Sequence, residues 1–554
     1  MTDSTRKQLL ARKVQLFDER TSWMAHWEEI ARNLLPRSGR FFVDDRNKGD
    51  KRHNAILDST ATGALNTLAA GLMAGMTSPA RPWFRLTTSD PQLDESSGVK
   101  QWLADVTRVM QMVFAKSNTY RALHSHYRGL GAFGTVAGVV LPDFRNVIHH
   151  YPLPIGEFAL ATDHRGVVDT LYREYQVTVA QLVREFGADK VSPTVKGLYE
   201  RGNLGAWVTI TQAIEPRVDR DPSKRDPQNM AWRSTYFENG ADEDKLLRDA
   251  GFKEFRALCP RWDVQTGDIY GESPGMLALG DVKQLQHEQL RKAQGIDYKV
   301  RPPLQAPTGM KNMAVDMLPG GISYVDAASP TGGIRNAFEA QIDLSHLLMD
   351  IQDVRQRIRS AFHADIFLMM ANSTDTTKTA TEIAERHEEK MLMMGPIVER
   401  LHNEILDPLI EMTFSHMLQA GIVPPAPPEL QGMDLNVEFV SMLAQAQRAI
   451  ATNSVDRYVA NLGAVAQFKP EVLDKFNADH WADAYGDMLG IDPELIVPGE
   501  QVALIRQQRA QAQQALQQTA LAEQEANIAQ RLGSINTSQP NALSDITRAF
   551  SGYT

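Results

Sequence analysis

The sequence predicts an α+β protein, mainly helical, whose 554 residues are divided among several consecutive units. Three observations carry that prediction. Two long amphipathic runs, Ser273 to Val300 and about Phe338 to Met370, flank an insert rich in proline and glycine. A block of short β-prone segments lies between Thr135 and Leu258. The chain also carries an Ala/Gln-rich run from Glu500 to Leu532.

From the N-terminus, Ser4 to Leu35 places Leu9, Leu10, Val14, Phe17, Trp23, Trp27, Ile30 and Leu34 at helical spacing, and Pro36 ends the run. After a basic loop, the segment Ile56-Leu57-Asp58-Ser59-Thr60-Ala61 caps and opens a second helix reaching Leu72 or Met76. Its small residues (Ala61, Gly63, Ala64, Ala69, Ala70, Gly71) permit another backbone to approach closely. Helices follow at about Gly98 to Lys116 and Tyr120 to Gly134. Strands are expected at Thr135–Val140, Val147–Tyr151, Glu157–Ala161, Val167–Gln176, Trp207–Glu215, Trp232–Phe237 and Phe252–Leu258, with a helix Val179–Phe186 stopped by Gly187.

Ser273-Pro274 is a strong helix start, a capping side chain followed by the residue whose missing N–H costs nothing in the first turn. Leu279, Val282, Leu285, Leu290, Ala293 and Ile296 then line one face until Arg301-Pro302-Pro303 stops the helix. The second run places Phe338, Ile342, Leu348, Ile351, Ile358 and Phe362 on or near one face. The insert between them holds five prolines, the pairs Gly320-Gly321 and Gly332-Gly333, and the β-prone Ile322-Ser323-Tyr324-Val325. A small strand-and-loop module at the tip of a helical hairpin fits this pattern, and so does an ordinary αα-hairpin with a long loop.

After a polar loop, Asn372 to Lys378, another long helix is expected over Thr379–Leu418, indented at Gly395-Pro396 and Asp407-Pro408. Pro424 to Pro428 reads as a stiff linker and the clearest domain boundary. Helical patterns continue over Val440–Phe468, Pro470–Asn477 and Ala482–Leu489. The Ala/Gln-rich run suits like helices packed side by side, and the residues after Gly533 read as a loose tail.

Composition narrows the function classes. Hydrophobic residues at 43% and charged residues at 23% are those of a folded globular protein. Cys259 is the only cysteine, so an internal disulfide is impossible and a reducing compartment is expected. No apolar stretch approaches the roughly 18 residues that span a bilayer, and no signal peptide is expected. The formal charge of −10 has the wrong sign for tight non-specific binding to nucleic acid.

Catalytic motifs are weak. Gly129-Leu130-Gly131-Ala132-Phe133-Gly134 matches G-x-G-x-x-G, but a dinucleotide fingerprint follows a strand and opens a helix. Here helix-like residues precede and a strand follows, so the glycines suit a tight helix-to-strand junction. No phosphate loop of the G-x-x-x-x-G-K type occurs. His124, His126, His149 and His150 lack the spacing of a metal site, so neither a metal, a cofactor nor a catalytic residue is expected.

Taken together, several segments resemble one family, the portal or head-to-tail connector proteins of short-tailed, T7-like bacteriophages. They are Glu19-Arg20 with Trp23 and Trp27, Ile56 to Ala61, Leu68 to Leu72, Thr77-Ser78-Pro79, Pro82-Trp83-Phe84 and Phe133-Gly134-Thr135. Further along come Tyr270 to Pro274, Leu318 to Gly321, Thr379 to Ile383, Gly395-Pro396 and Pro408-Leu409. The resemblance runs in order through nearly the whole chain.

It implies a homo-dodecameric ring at one capsid vertex of the virion, assembled in the host cytoplasm, through which double-stranded DNA is packaged and ejected. Implied partners are the terminase large subunit, tail adaptor and tail proteins, the major capsid protein and the scaffold, with no membrane. On this pattern residues 1–272 are the wing, 273–300 the first stem helix, 301–336 the clip and 337–371 the second stem helix. Residues 372–379 are the tunnel loop and 380–432 the long wing helix with the proline-rich linker. The crown covers 433–499, a barrel helix 500–532 and a flexible tail 533–554. Asn372, Ser373, Thr374, Thr376, Thr377 and Lys378 would face DNA, with Lys378 supplying one exchangeable phosphate contact per subunit. Arg355, Arg357 and Arg359 would line the channel or pair between subunits, with Asp343, Asp350 or Asp353 as acidic partners. Arg301, Pro302, Pro303, Leu304 and Tyr324 would dock partners. An acidic channel lining would also keep the polymer from sticking. Two alternatives stand beside this: a capsid-associated ring or adaptor that conducts no DNA, and an enzyme holding a nucleotide at Gly129–Gly134.

Overall fold

The computed structural model describes residues 5–42, 49, 56–90, 93, 96–224, 226–241, 245–301, 303–305, 311, 335–336, 345–371, 394–430, 435–439, 458–489, 497 and 499–533. They form an α+β protein in two compact units. The first comprises residues 1–91 and 102–456, the second residues 92–101 and 457–554.

The N-terminal run is two helices, α1 (Thr5–Glu19) and α2 (Thr21–Leu34), where the sequence predicts one. The break falls at Arg20, which is 4% exposed; its guanidinium donates to the Phe158 carbonyl and lies 4.0 Å from the centre of the Phe17 ring. Burial lowers its pKa to about 10. A buried cation with such partners fixes the chain direction more strongly than helix continuity does.

Helices α3 (Thr60–Met76), α4 (Ser97–Lys116) and α5 (Thr119–Phe133) follow, with strand β1 (Phe84–Thr88) after α3. Strands β2 (Ala137–Asp143) and β3 (Val147–Leu153) form a hairpin. Strands β4 (Phe158–Thr162), β5 (Val168–Thr178), β6 (Trp207–Pro216), β7 (Trp232–Glu238) and β8 (Arg248–Phe252) make an antiparallel meander in that order. Alternation along β6 and β7 gives this meander two apolar faces. Ala213 and Phe237 meet Leu9 and Leu16 of α1 on one side. On the other, Ile210 and Tyr236 meet Val179 and Leu182 of α6 (Val179–Phe186) and Val195 of α7 (Pro193–Glu200). Helix α6 begins at a capping box made by Thr178 and Gln181 and, as its sequence predicts, ends at Gly187. The single strand expected at Phe252–Leu258 is instead the end of β8 and a separate β9 (Ala257–Leu258), which pairs with β2.

The expected long helix over Thr379–Leu418 is described from residue 394. It runs as α-helix over Gly395–Leu401, π-helix over His402–Leu406 and α-helix over Asp407–Gln419. Pro408 has no N–H to continue the ladder, and Asp407 N–H reaches five residues back to the His402 carbonyl, so the predicted indentation is a π-turn. That turn aims Glu404 at Arg261, whose guanidinium donates to both carboxylate oxygens at 2.7 and 3.3 Å. Beyond the prolines, Leu435–Phe439 pairs antiparallel with β1, Phe84 against Phe439. The proline-rich segment therefore lies inside the first unit, and Trp102 donates to the Pro424 carbonyl at 3.0 Å.

In the second unit, residues 458–466 are helical, followed by a 3-10 turn at Pro470–Lys475 and helices at Ala478–Leu489 and Gly499–Gly533. Phe476 lies 5.8 Å from Trp481, which stacks on Tyr485 at 5.1 Å. Arg506 makes a bidentate pair with Asp479 at 2.6 and 2.7 Å. The 35-residue terminal helix would extend roughly 52 Å at 1.5 Å per residue. Its Leu504, Leu516, Leu521 and Ile528 are exposed.

Candidate functional site

The two amphipathic runs meet as a helical hairpin, and its base explains the glycines of Gly129–Gly134. Ser273 accepts a hydrogen bond from Met276 N–H at 3.0 Å and donates to the Ala132 carbonyl at 2.8 Å, so the cap also fastens the helix start to the end of α5. Pro274–Leu277 forms one short turn, α8, and the chain resets at Ala278 before α9 (Leu279–Val300). The predicted continuous helix from Ser273 is thus divided near its origin.

Three backbones crowd here. Gly134 closes α5 at φ 72°, and a Cβ there would sit 2.1 Å from the Gly271 carbonyl oxygen. A Cβ on Gly275 would sit 2.6 Å from the Ala132 oxygen, one on Gly129 2.5 Å from Val136, and one on Gly131 2.7 Å from Leu65. The glycines serve a helix C-terminus, the end of the macrodipole that repels phosphate. The nucleotide-binding alternative finds no support in this geometry.

Along the hairpin, Val282 and Leu285 of α9 pack with Ile351, Val354 and Ile358 of α10 (Ser345–Ala361), all essentially buried. Farther out the faces are bare: Leu290, Ile296 and Val300 on α9 and Leu348 and Met349 on α10 are 42–70% exposed. Glu288 is buried against Asp350; burial first, then that neighbouring carboxyl, raises its pKa.

The three arginines differ. Arg355 faces Asp58 of its own chain, with Nη2 and Nε 2.8 and 3.1 Å from Oδ2. Arg357 pairs with Asp281 at 3.1 Å and Asp353 at 3.3 Å and is about half exposed, while Arg359 is exposed. Among the docking residues, Arg301 ends α9 and is exposed, as is Pro303. Leu304 pairs with Asn336 in a two-residue ladder that joins the ends of the insert. Pro302 and Tyr324 lie outside the described residues, as do Asn372, Ser373, Thr374, Thr376, Thr377 and Lys378.

The second run is broken where continuous helix is predicted. His363 takes φ 52°, and α11 (Ala364–Ala371) leaves in a new direction. Phe367 of α11 lies on α3 over Gly71, where an added Cβ would come within 2.2 Å of the ring. Periodicity registers apolar spacing and is blind to a left-handed histidine, so it runs through the break.

Sequence reasoning also missed the reach of Asp58, which it took as a helix cap. The Oδ1 atom does accept from the Thr60 N–H at 2.9 Å and hydroxyl at 2.6 Å. The Oδ2 atom additionally takes Gln289 Nε2 at 2.9 Å and the Arg355 guanidinium. Burial pushes this carboxyl up, but the bonds from Thr60 and Arg355 outweigh it and hold it below the ordinary carboxylate range. Among the described residues, no helix is long and apolar enough to cross a membrane.

Comparison with known proteins places the chain. The family described as bacteriophage head to tail connecting protein matches residues 6–497. The probable portal protein of Bordetella phage BPP-1 is 69% identical over 549 residues, covering 99% of both chains. The portal protein of Salmonella phage epsilon15 is 46% identical over 550 residues, again 99% of each. A chain from the virion of a native gene transfer agent particle aligns over 81% of this chain and 95% of its own at a TM-score of 0.33 and 11% identity, too slight a likeness to carry an argument. With full-length relatives of this identity and a match over most of its residues, the chain belongs to the bacteriophage head-to-tail connecting, or portal, protein family.

Proposed function

We propose that twelve copies form a ring at one capsid vertex, and that the ring is the channel for double-stranded DNA during packaging and ejection. The observation carrying this is the hairpin of α9 and α10, apolar and covered at its base, apolar and bare toward its tip. Such a face needs neighbours, and a head-to-tail interface repeated about an axis closes into a ring only if the rotation fits. The long terminal helix with exposed leucines calls for the same kind of neighbour.

In this proposal residues 301–336 dock the terminase large subunit during packaging and tail adaptor proteins afterwards. The major capsid protein and scaffold surround the ring, which assembles in the host cytoplasm. Lys378 and its polar neighbours on 372–379 touch the duplex transiently. The Arg355–Asp58 pair within one chain favours a role for Arg355 in holding the hairpin, which leaves Arg357 and Arg359, of these three arginines, on its accessible surface.

Electron microscopy of the purified protein tests this. The expected particle is a ring with an axial opening wider than a B-form duplex, about twice the 10–12 Å diameter of a single helix. A monomer, or a closed disc, would remove the proposal.

A further inference from the structure

Around Asp58, hydrogen bonds from three helices converge. Oδ1 holds Thr60 at the start of α3, while Oδ2 takes Gln289 of α9 at 2.9 Å and the Nε and Nη2 atoms of Arg355 on α10. Gln286 of α9 completes the joint from the backbone side. Its Oε1 accepts from Leu57 N–H at 2.6 Å and Asp58 N–H at 2.9 Å, and its Nε2 donates to the Asp58 carbonyl at 2.9 Å. The Asp58 side chain is 5% exposed.

The position of this joint along the hairpin is informative. On the α8 side lie the buried Val282, Leu285 and Ile358, beside the joint the equally buried Val354 and Ile351, and beyond it the bare Leu290, Ile296, Leu348 and Met349. Apolar contacts are non-directional and tolerate sliding of one helix past another. A guanidinium fork on a carboxylate is directional. Moving either helix by one residue shifts it about 1.5 Å and turns it about 100°, which takes Gln289 or Arg355 off the oxygen.

We infer that Asp58 is the positioning residue that sets the height and rotation of the α9–α10 hairpin on α3, so that force on the far end of the hairpin passes to α3 through this carboxylate. The inference deepens the channel proposal, on which its functional part rests. Asp58→Asn keeps the shape and the Thr60 contact but puts an NH2 donor where Oδ2 accepts from Gln289 and Arg355.

Hydrogen exchange of the full-length chain measures the joint directly. In Asp58→Asn, amides of residues 286–300 and 345–358 are expected to exchange about ten-fold faster than in the parent, with the β4–β8 meander unchanged. Arg355→Lys, which keeps the charge but loses the fork, should give a smaller effect at the same peptides. Rings of Asp58→Asn should assemble yet yield about ten-fold fewer DNA-filled heads in a packaging assay. Parent-like exchange in the hairpin overturns the inference, and so does acceleration spread evenly over the whole first unit, which marks a merely structural residue. Should Asp58→Asn fail to fold, Gln289→Ala carries the same exchange comparison. Failure of the parent to form rings would remove the channel proposal while leaving the exchange result readable.

Discussion

Replacing Gly134 with alanine tests the account of the junction between α5, β2 and the hairpin. Two costs add. Gly134 sits at φ 72°, where an L-residue costs about 1–2 kcal/mol. Its new Cβ would lie 2.1 Å from the Gly271 oxygen and 2.7 Å from the Gly271 carbonyl carbon. That is backbone, which cannot swing aside as a side-chain tip does, and overpacking of this kind costs about 1–3 kcal/mol. The total is about 3 kcal/mol, expected to lower the thermal midpoint of the first unit by about 6 °C at roughly 2 °C per kcal/mol for a unit of this size. Gly63→Ala is the control: no atom lies within 4 Å of its Cβ, the site is helical, and the change should be neutral or stabilise by about 0.5–1 kcal/mol. Differential scanning calorimetry of both variants decides the matter. A Gly134→Ala midpoint within 1 °C of the parent would refute the crowding account and reopen the question of why three glycines stand in that motif.

Other substitutions probe separate joints. Burial, with Glu411 nearby, raises the Asp407 carboxyl to about 6, so the folded chain binds a proton more readily than the unfolded one between about pH 4 and 6, and stability falls as pH rises through that window. Asp407→Asn should therefore stabilise by about 1 kcal/mol at pH 8 after solvent screening and by nothing below about pH 4; equal effects at both pH values would contradict it. Phe367→Ala should cost about 3–5 kcal/mol, and Gly71→Ala should be far better tolerated in that background than in the parent, a coupling of about 1–3 kcal/mol in a denaturation cycle. Lys378→Ala should leave ring assembly intact while reducing DNA retention or packaging, and variant rings that package and hold DNA like the parent would end the role proposed for that residue.

Much of the fold was legible because it rests on local chemistry. Gly187 stops its helix as expected, and Ser273-Pro274 does open a helix. The meander appeared as short β-prone segments because turn residues separate its strands. What stayed hidden depends on partners distant in sequence. Arg20 breaks a helix for the sake of the Phe158 carbonyl, and His363 turns the chain so that Phe367 can reach Gly71. Asp58 looked like a local cap because Thr60 is local, whereas Gln289 and Arg355 lie more than two hundred residues away. The proline-rich segment looked like a boundary since composition records stiffness and not destination.

The pairing of Leu435–Phe439 with Phe84–Thr88 imposes an order on biosynthesis. A nascent chain emerging from the ribosome carries β1 long before its partner exists, and Trp83 stacks on Phe114 but lacks the Phe439 ring, 6.4 Å away, until then. Residues 457–554 leave the exit tunnel only after that partner strand is available, so the extended terminal helix, with its sticky leucines, reaches the crowded cell when the rest of the subunit is able to close. Late arrival of the terminal helix thus keeps its exposed leucines away from a first unit that has yet to close.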